Sequence, residues 1–205
     1  MAIGSSAYAY REGDFQIWHT EAQEVSINKK ARIGLEEEFR YGNDAEELYY
    51  HHYDIALYYD ICKNFTISGS YRQIYDLKKK KFMEENEPSI NGIIKWDMFG
   101  FKFEDRNRFE YRHFRYQDDN VRYRNKITMK FPWKVTMFKI QPYLSDEVFA
   151  DLNNAVFNRN RFYAGVGLEF NKYLKGDIYY MFQSAKGSNK WTDANVLGLK
   201  LKLAF

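Results

Sequence analysis

The chain has 205 residues, with 31 Lys and Arg against 28 Asp and Glu, and it carries 17 Phe, 18 Tyr and 4 Trp. That length suits one domain, the small interspersed net charge of +3 argues against a nucleic-acid partner, and a single cysteine, Cys62, makes no internal disulfide. Mean hydropathy is −0.67 and no apolar run approaches the roughly 20 residues of a membrane helix, which excludes a helical membrane protein but not a β-barrel, where only alternate residues face lipid.

Residues 1–9 end in Ala7-Tyr8-Ala9, a small-x-small pattern that fits the close of a secretory signal peptide. The expectation is a signal-peptide remnant with the mature chain starting at Tyr10, so that 10–205 form one domain; the plain alternative is an ordinary N-terminus. Beyond residue 14 the chain is a succession of alternating segments with almost no helical period, which predicts an all-β fold. The segment from Phe15 to Ile27 is the weakest, because His19 and Glu21 share the face of Phe15, Ile17 and Val25. After Asn28-Lys29-Lys30, a clean strand sets Ile33, Leu35, Phe39 and Tyr41 against Arg32, Glu36, Glu38 and Arg40, with Glu37 interrupting the apolar face. Tyr49, Tyr53, Ile55, Leu57, Tyr59 and Ile61 form the next stripe, and Lys63-Asn64 reads as a tight turn.

Phe65, Ile67, Tyr71 and Tyr75 then oppose Thr66, Ser68 and Arg72, and the charged run from Lys78 to Glu87 reads as the longest loop. Ile90, Ile94, Trp96 and Met98 precede a turn at Phe99-Gly100. The strictest charge alternation follows, with Lys102, Glu104, Arg106, Arg108, Glu110 and Arg112 opposite Phe101, Phe103, Phe109 and Tyr111. Arg122, Arg124 and Lys126 continue it beyond a loop at Gln117 to Asn120, and Pro132-Trp133 reads as a turn. Phe138, Ile140 and Leu144 oppose Gln141, Ser145 and Glu147, and Phe162 to Phe170 oppose Arg161 and Glu169. Ile178, Tyr180 and Phe182 carry the penultimate strand, Gly187-Ser188-Asn189 the last loop, and Leu197 to Phe205 the last strand, whose Lys200 and Lys202 face away from the leucines.

Eleven segments result. Bacterial single-chain outer-membrane barrels have even strand numbers, so the expectation is an antiparallel up-and-down transmembrane β-barrel of 10 to 12 strands, with ten or twelve the closed forms. The connections read as short turns alternating with longer polar loops, the asymmetry of periplasmic and outer ends. Leu199, Leu201, Leu203 and Phe205 resemble the C-terminal signal that such barrels present to their insertion machinery. Outer-membrane lipid and that machinery are the expected partners, and the bacterial outer membrane the expected location.

Alternation does not say which face is inside. A soluble lipocalin-like barrel would turn the aromatic face inward around an apolar ligand, and a membrane barrel the reverse. Aromatic residues near strand ends, Tyr41, Tyr49, Tyr75, Trp96 and Trp133, fit interfacial girdles and favour the membrane form.

The segments Asp14-Phe15-Gln16-Ile17-Trp18, Leu35-Glu36-Glu37-Glu38-Phe39-Arg40, Arg106 to Arg112, Arg122-Tyr123-Arg124, Pro142-Tyr143-Leu144, Glu147-Val148-Phe149 and Asn160-Arg161 carry a family likeness across most of the chain. Through them it resembles the uncharacterised outer-membrane barrel family called domain of unknown function 2490. The resemblance implies a barrel in the outer membrane of a diderm bacterium and brings no established activity.

In the membrane form the lumen receives Arg32, Glu36, Glu38, Arg40, Arg72, Lys102, Glu104, Arg106, Arg108, Glu110, Arg112, Arg122, Arg124, Lys126, Glu147, Arg161 and Glu169. A barrel of this size is narrow, and unpaired buried ions cost several kcal/mol or more, so these groups are expected to pair. The pairing either plugs and rigidifies the barrel or leaves a narrow pore whose arginine surplus favours anions. A lipid-modifying hydrolase is the rival reading, with His19, His51, His52, His113 and Ser145 to Glu147 as the residues to inspect, but there is no nucleophile elbow or paired-histidine metal spacing. No glycine-rich phosphate loop or zinc spacing points to a cofactor or metal.

Overall fold

The computed structural model describes residues 11–187 and 190–205. The segment read as a signal remnant, 1–9, lies outside the described residues, as do Ser188 and Asn189 of the last predicted loop. The described chain forms eleven strands: β1 (Asp14–Ser26), β2 (Ala31–Gly42), β3 (Glu47–Cys62), β4 (Phe65–Lys78), β5 (Lys81–Met98), β6 (Phe101–Phe114), β7 (Asn120–Lys130), β8 (Gln141–Asp151), β9 (Val156–Glu169), β10 (Leu174–Lys186) and β11 (Trp191–Ala204). Each pairs with its sequence neighbour, and β1 closes the barrel against β11.

Eleven equals the number of segments read from the sequence and lies within the expected 10 to 12; it corrects only the expectation that closure needs an even number. In a meander every strand reverses the one before, so with an odd count the first and last strands run the same way and the closing pair must be parallel. The β1–β11 pair is parallel, from Asp14↔Ala194 to Glu24↔Ala204. The Phe205 amide donates to the Glu24 carbonyl and the Ser26 amide to the Phe205 carbonyl, both at 2.9 Å, extending the seam to the last residue. The weak-looking first segment is thus a full strand with a partner on each side. Consequently β1 begins at one rim, here called upper, and β11 ends at the other, lower rim.

Three more expectations change. The charged run after Lys78 is a two-residue hairpin at Lys79-Lys80, and β5 pairs with β4 from Lys81 onward, Lys78↔Lys81 to Phe65↔Ile94. Lys79 and Lys80 have φ of 49° and 65°, the geometry that matches the twist of two-residue hairpins, so polar composition there marks a turn and not a long loop. The short turn expected at Pro132-Trp133 is the long connection 131–140, which folds on itself through a Val135↔Ile140 bridge, so β8 starts at Gln141 and not near Phe138. Among the connections that lie wholly within the described residues, the upper ones at 43–46, 79–80, 115–119 and 152–155 and the lower ones at 27–30, 63–64, 99–100, 131–140 and 170–173 do not divide the two rims into short turns and long loops.

The apolar face points outward. Ile55, Leu57 and Tyr53 on β3 are about half exposed, as are Ile90, Phe109, Tyr180 and Leu201 on other strands. The interior holds Glu110, Glu147, Glu87, Glu85 and His52, each almost fully buried. Tyr49 departs from its expected stripe: a bulge between Arg40 and Tyr41 shifts the register, and Tyr49 turns inward to donate its hydroxyl proton to Gln16 Oε1 at 2.7 Å. The outer belt is broken on β6 to β9, where Asn125 Nδ2 donates to Asp105 and Asn107, Asn107 Nδ2 to Asp105, and Asn160 Nδ2 to Asp146. Amide and carboxylate groups there satisfy one another laterally along the sheet.

Two inward glycines are covered by aromatic rings. Gly198 lies opposite Tyr179 and Gly165 opposite Tyr143, and a Cβ at either position would fall 1.9 Å and 2.6 Å from the ring atoms. The rings lie flat over bare backbone, filling the interior where a side chain would collide.

Candidate functional site

Inward alternation on β4 to β9 stacks arginines and glutamates into one connected network. Glu110 accepts from Arg122 Nε at 2.5 Å and Arg124 Nη1 at 2.8 Å. Glu147 accepts from Arg124 Nη2 at 2.8 Å, Arg106 Nη2 at 2.9 Å and the Tyr163 hydroxyl at 2.9 Å. Glu87 accepts from Arg122 Nη2 at 2.8 Å and lies 3.5 Å from Arg72 Nη1, whose Nε donates to Asp54 at 3.0 Å. Glu85 takes both prongs of the Arg112 guanidinium, at 2.5 and 2.9 Å. Charge-assisted and partly bidentate, such pairs are the strong class of hydrogen bond, and they answer the desolvation of so many ions.

Among the described residues the interior holds an upper cavity of about 540 Å³ and a lower one of about 720 Å³. Both are lined by Trp18, Arg40, Arg72, Arg124 and Arg161, which therefore form a waist between them. The Trp18 ring is the hinge of that waist: the guanidinium carbon of Arg40 lies 3.7 Å and that of Arg161 4.8 Å from its centre. Behind it Trp18 packs with Tyr163, Met181 and Val196 in an apolar cluster. The upper cavity is walled by seven arginines, Arg40, Arg72, Arg112, Arg122, Arg124, Arg159 and Arg161, with Lys78, Lys79 and Lys81 toward the rim; its only lining acids among the described residues are Asp76 and Glu85. The lower cavity is more evenly charged, with Lys200 donating to Glu36 at 2.5 Å and Lys202 to Glu24 at 2.8 Å.

Of the residues expected in the lumen, Glu36, Glu38, Arg40, Arg72, Arg106, Arg108, Arg112, Arg122, Arg124, Lys126, Glu147 and Arg161 line the cavities or the network between them, with Glu110 buried at its centre. Glu104 and Glu169 sit low in the lower cavity, where Glu169 accepts from Lys134 and Lys139. Arg32 pairs with Glu24 and Asp60 near the lower rim, and Lys102 is exposed there, outside either cavity lining. Asp54, Glu85, Glu87, Arg159 and Lys200 belong to the site as well. Extending the Ile90, Ile94 stripe of β5 back in steps of two puts Glu85 and Glu87 on the opposite face, a signal masked by reading that stretch as loop. Arg159 shares its parity with Arg161.

The histidines and Ser145 do not come together. His51 faces outward, stacked on Tyr75 at 4.8 Å, while His52 faces inward with Nδ1 3.1 Å from the Tyr50 hydroxyl. The Ser145 hydroxyl lies 2.7 Å from that of Thr128. His19 contacts Glu21 on the outer face. At the upper rim His113 Nδ1 lies 3.0 Å from Asp119, whose carboxylate also accepts from the Tyr111 hydroxyl and the Phe114 amide; these donors hold the Asp119 carboxyl down at about 2.

A family model described as a protein of unknown function (DUF2490) matches residues 15–194. No curated protein matches the chain.

Proposed function

The chain belongs to the DUF2490 family, which carries no assigned activity, and from the barrel's own geometry we propose an outer-membrane barrel that passes small anions through a narrow, arginine-gated lumen. The observation that carries this reading is the waist: five shared residues, four of them arginine, stand between the two cavities. Rings of cationic side chains at a constriction favour anions, and walls of low dielectric focus the field on the passing ion. An outward apolar face, with Leu199, Leu201, Leu203 and Phe205 at its terminal strand, supports a lipid environment and delivery by the barrel-insertion machinery. The outward aromatic face speaks against a soluble carrier of an apolar ligand, and Ser145, bonded to Thr128, gives a hydrolase no histidine-activated nucleophile.

The test is expression behind a full signal peptide, membrane fractionation, a gel of unboiled and boiled protein in detergent, and conductance in planar bilayers. Outer-membrane recovery with a heat-dependent mobility shift, and anion-preferring conductance whose selectivity falls in Arg124→Ala, is the expected result. Soluble periplasmic recovery without a shift would overturn the location, and a folded barrel in the outer membrane with no conductance in either protein would leave a closed structural barrel.

A further inference from the structure

The upper cavity holds one guanidinium that its walls do not neutralise. Six of its seven arginines have a carboxylate within 3.6 Å, among them Arg40 with Glu38 and Arg161 with Glu147. Arg159 has no ion-pair or hydrogen-bond partner among the described residues, and its Nε is buried. It is not isolated from like charge. The guanidinium carbons of Arg159, Arg161, Arg124 and Arg122 lie 5.1, 4.7, 4.6 and 5.6 Å from the centre of one ring, that of the buried Phe149. A ring face attracts a cation weakly, and four gathered on one ring repel each other in a medium that screens poorly. The arrangement lacks an anion.

We propose that the upper cavity binds the phosphate group of a soluble small molecule, with Arg159 as its principal ligand and its Phe149 neighbours supplying further donors. A single carboxylate would balance one cation, whereas a phosphate brings more negative charge and three strong acceptors that guanidinium forks meet two at a time. Besides Arg159, the rim residues Lys79 and Lys81 have no carboxylate partner among the described residues, so the charge left unneutralised exceeds one and favours the more highly charged group. Lys79 and Lys81 toward the rim draw an anion from solution, while Lys78 is paired with Asp76 at 2.6 Å. The proposal takes its ligand class from the anion reading above, but binding is read in detergent without ion flow, so each can fail alone.

The experiment titrates pyrophosphate into the purified barrel in detergent micelles by calorimetry, at constant ionic strength set with chloride. Expected are saturable binding at one site, a loss of roughly tenfold or more in Arg159→Gln, and a smaller loss in Arg159→Lys, which keeps the charge but not the fork. Because Arg159 supports no carboxylate and is repelled by its neighbours, the melting temperature of Arg159→Gln should not fall below that of the parent. Glycerol 3-phosphate should compete, and phosphatidylglycerol in the same micelles should not, since the cluster faces the lumen. Absence of saturable binding, or equal affinity in the parent and Arg159→Gln, overturns the site; competition by the lipid alone overturns a soluble ligand.

Discussion

Glu110 and Arg122 stand directly opposite each other on β6 and β7, and Arg122 Nε donates to the fully buried Glu110 Oε2 at 2.5 Å. The pair sits where two strands, an arginine ladder and the lumen meet. Glu110→Ala leaves Arg122 and Arg124 facing each other without their shared anion, and breaking a buried pair from one side typically costs about 3–5 kcal/mol. Replacing Glu110 and Arg122 together with methionine should cost less than the single change. Urea unfolding in detergent, with an unchanged slope, measures both.

Ile55 is 53 % exposed on the outer face of β3. In water, arginine at such a position would shift stability by about 0.5 kcal/mol or less. Facing the middle of a bilayer it should cost about 2–4 kcal/mol. Equilibrium unfolding of Ile55→Arg in lipid vesicles separates the two, and a neutral effect would count against the membrane reading.

Trp18 anchors the waist, only 3 % exposed and covered by Arg40 and Arg161. Trp18→Ala removes the ring and its packing on Met181 and Val196, a loss of about 3–5 kcal/mol. It also widens the constriction, so single-channel conductance should rise while the unfolding midpoint falls.

Gly198 has the Tyr179 ring where its Cβ would be, 1.9 Å away. Gly198→Ala must push that ring off the sheet, at a cost of about 1–3 kcal/mol. The same change combined with Tyr179→Ala should recover part of the strain, which a double-mutant cycle reads directly.

Asp119 tests the upper rim. The Tyr111 hydroxyl, His113 and the Phe114 amide hold its carboxyl at about 2, below the unfolded value of about 4. A depressed carboxyl contributes order above the unfolded value and loses it as pH falls through the folded one, so the β6–β7 connection should loosen between about pH 4 and 2. Amide protection at Phe114 should fall over that window, and Asp119→Asn should show the loosened state already at neutral pH.

Alternation is a local property, and the chain alone was enough to read an all-β fold, the charged face of β6 and β7 and the leucine stripe of β11. Each follows from successive side chains pointing to opposite faces, whatever strand lies alongside. Closure is not local. Whether the weak β1 segment counts as a strand depends on β11, nearly the full chain away, and only their parallel pairing makes eleven a closed number. The bulge that turns Tyr49 inward and the pairing that draws Glu85 and Glu87 into the lumen likewise depend on register between strands. Which charges neutralise which was decided last of all. Arg159 and Arg161 have the same parity and chemistry in sequence, yet Glu147 reaches one and not the other, because the β8–β9 register sets Arg161 opposite Glu147 and Arg159 opposite the Phe149 ring.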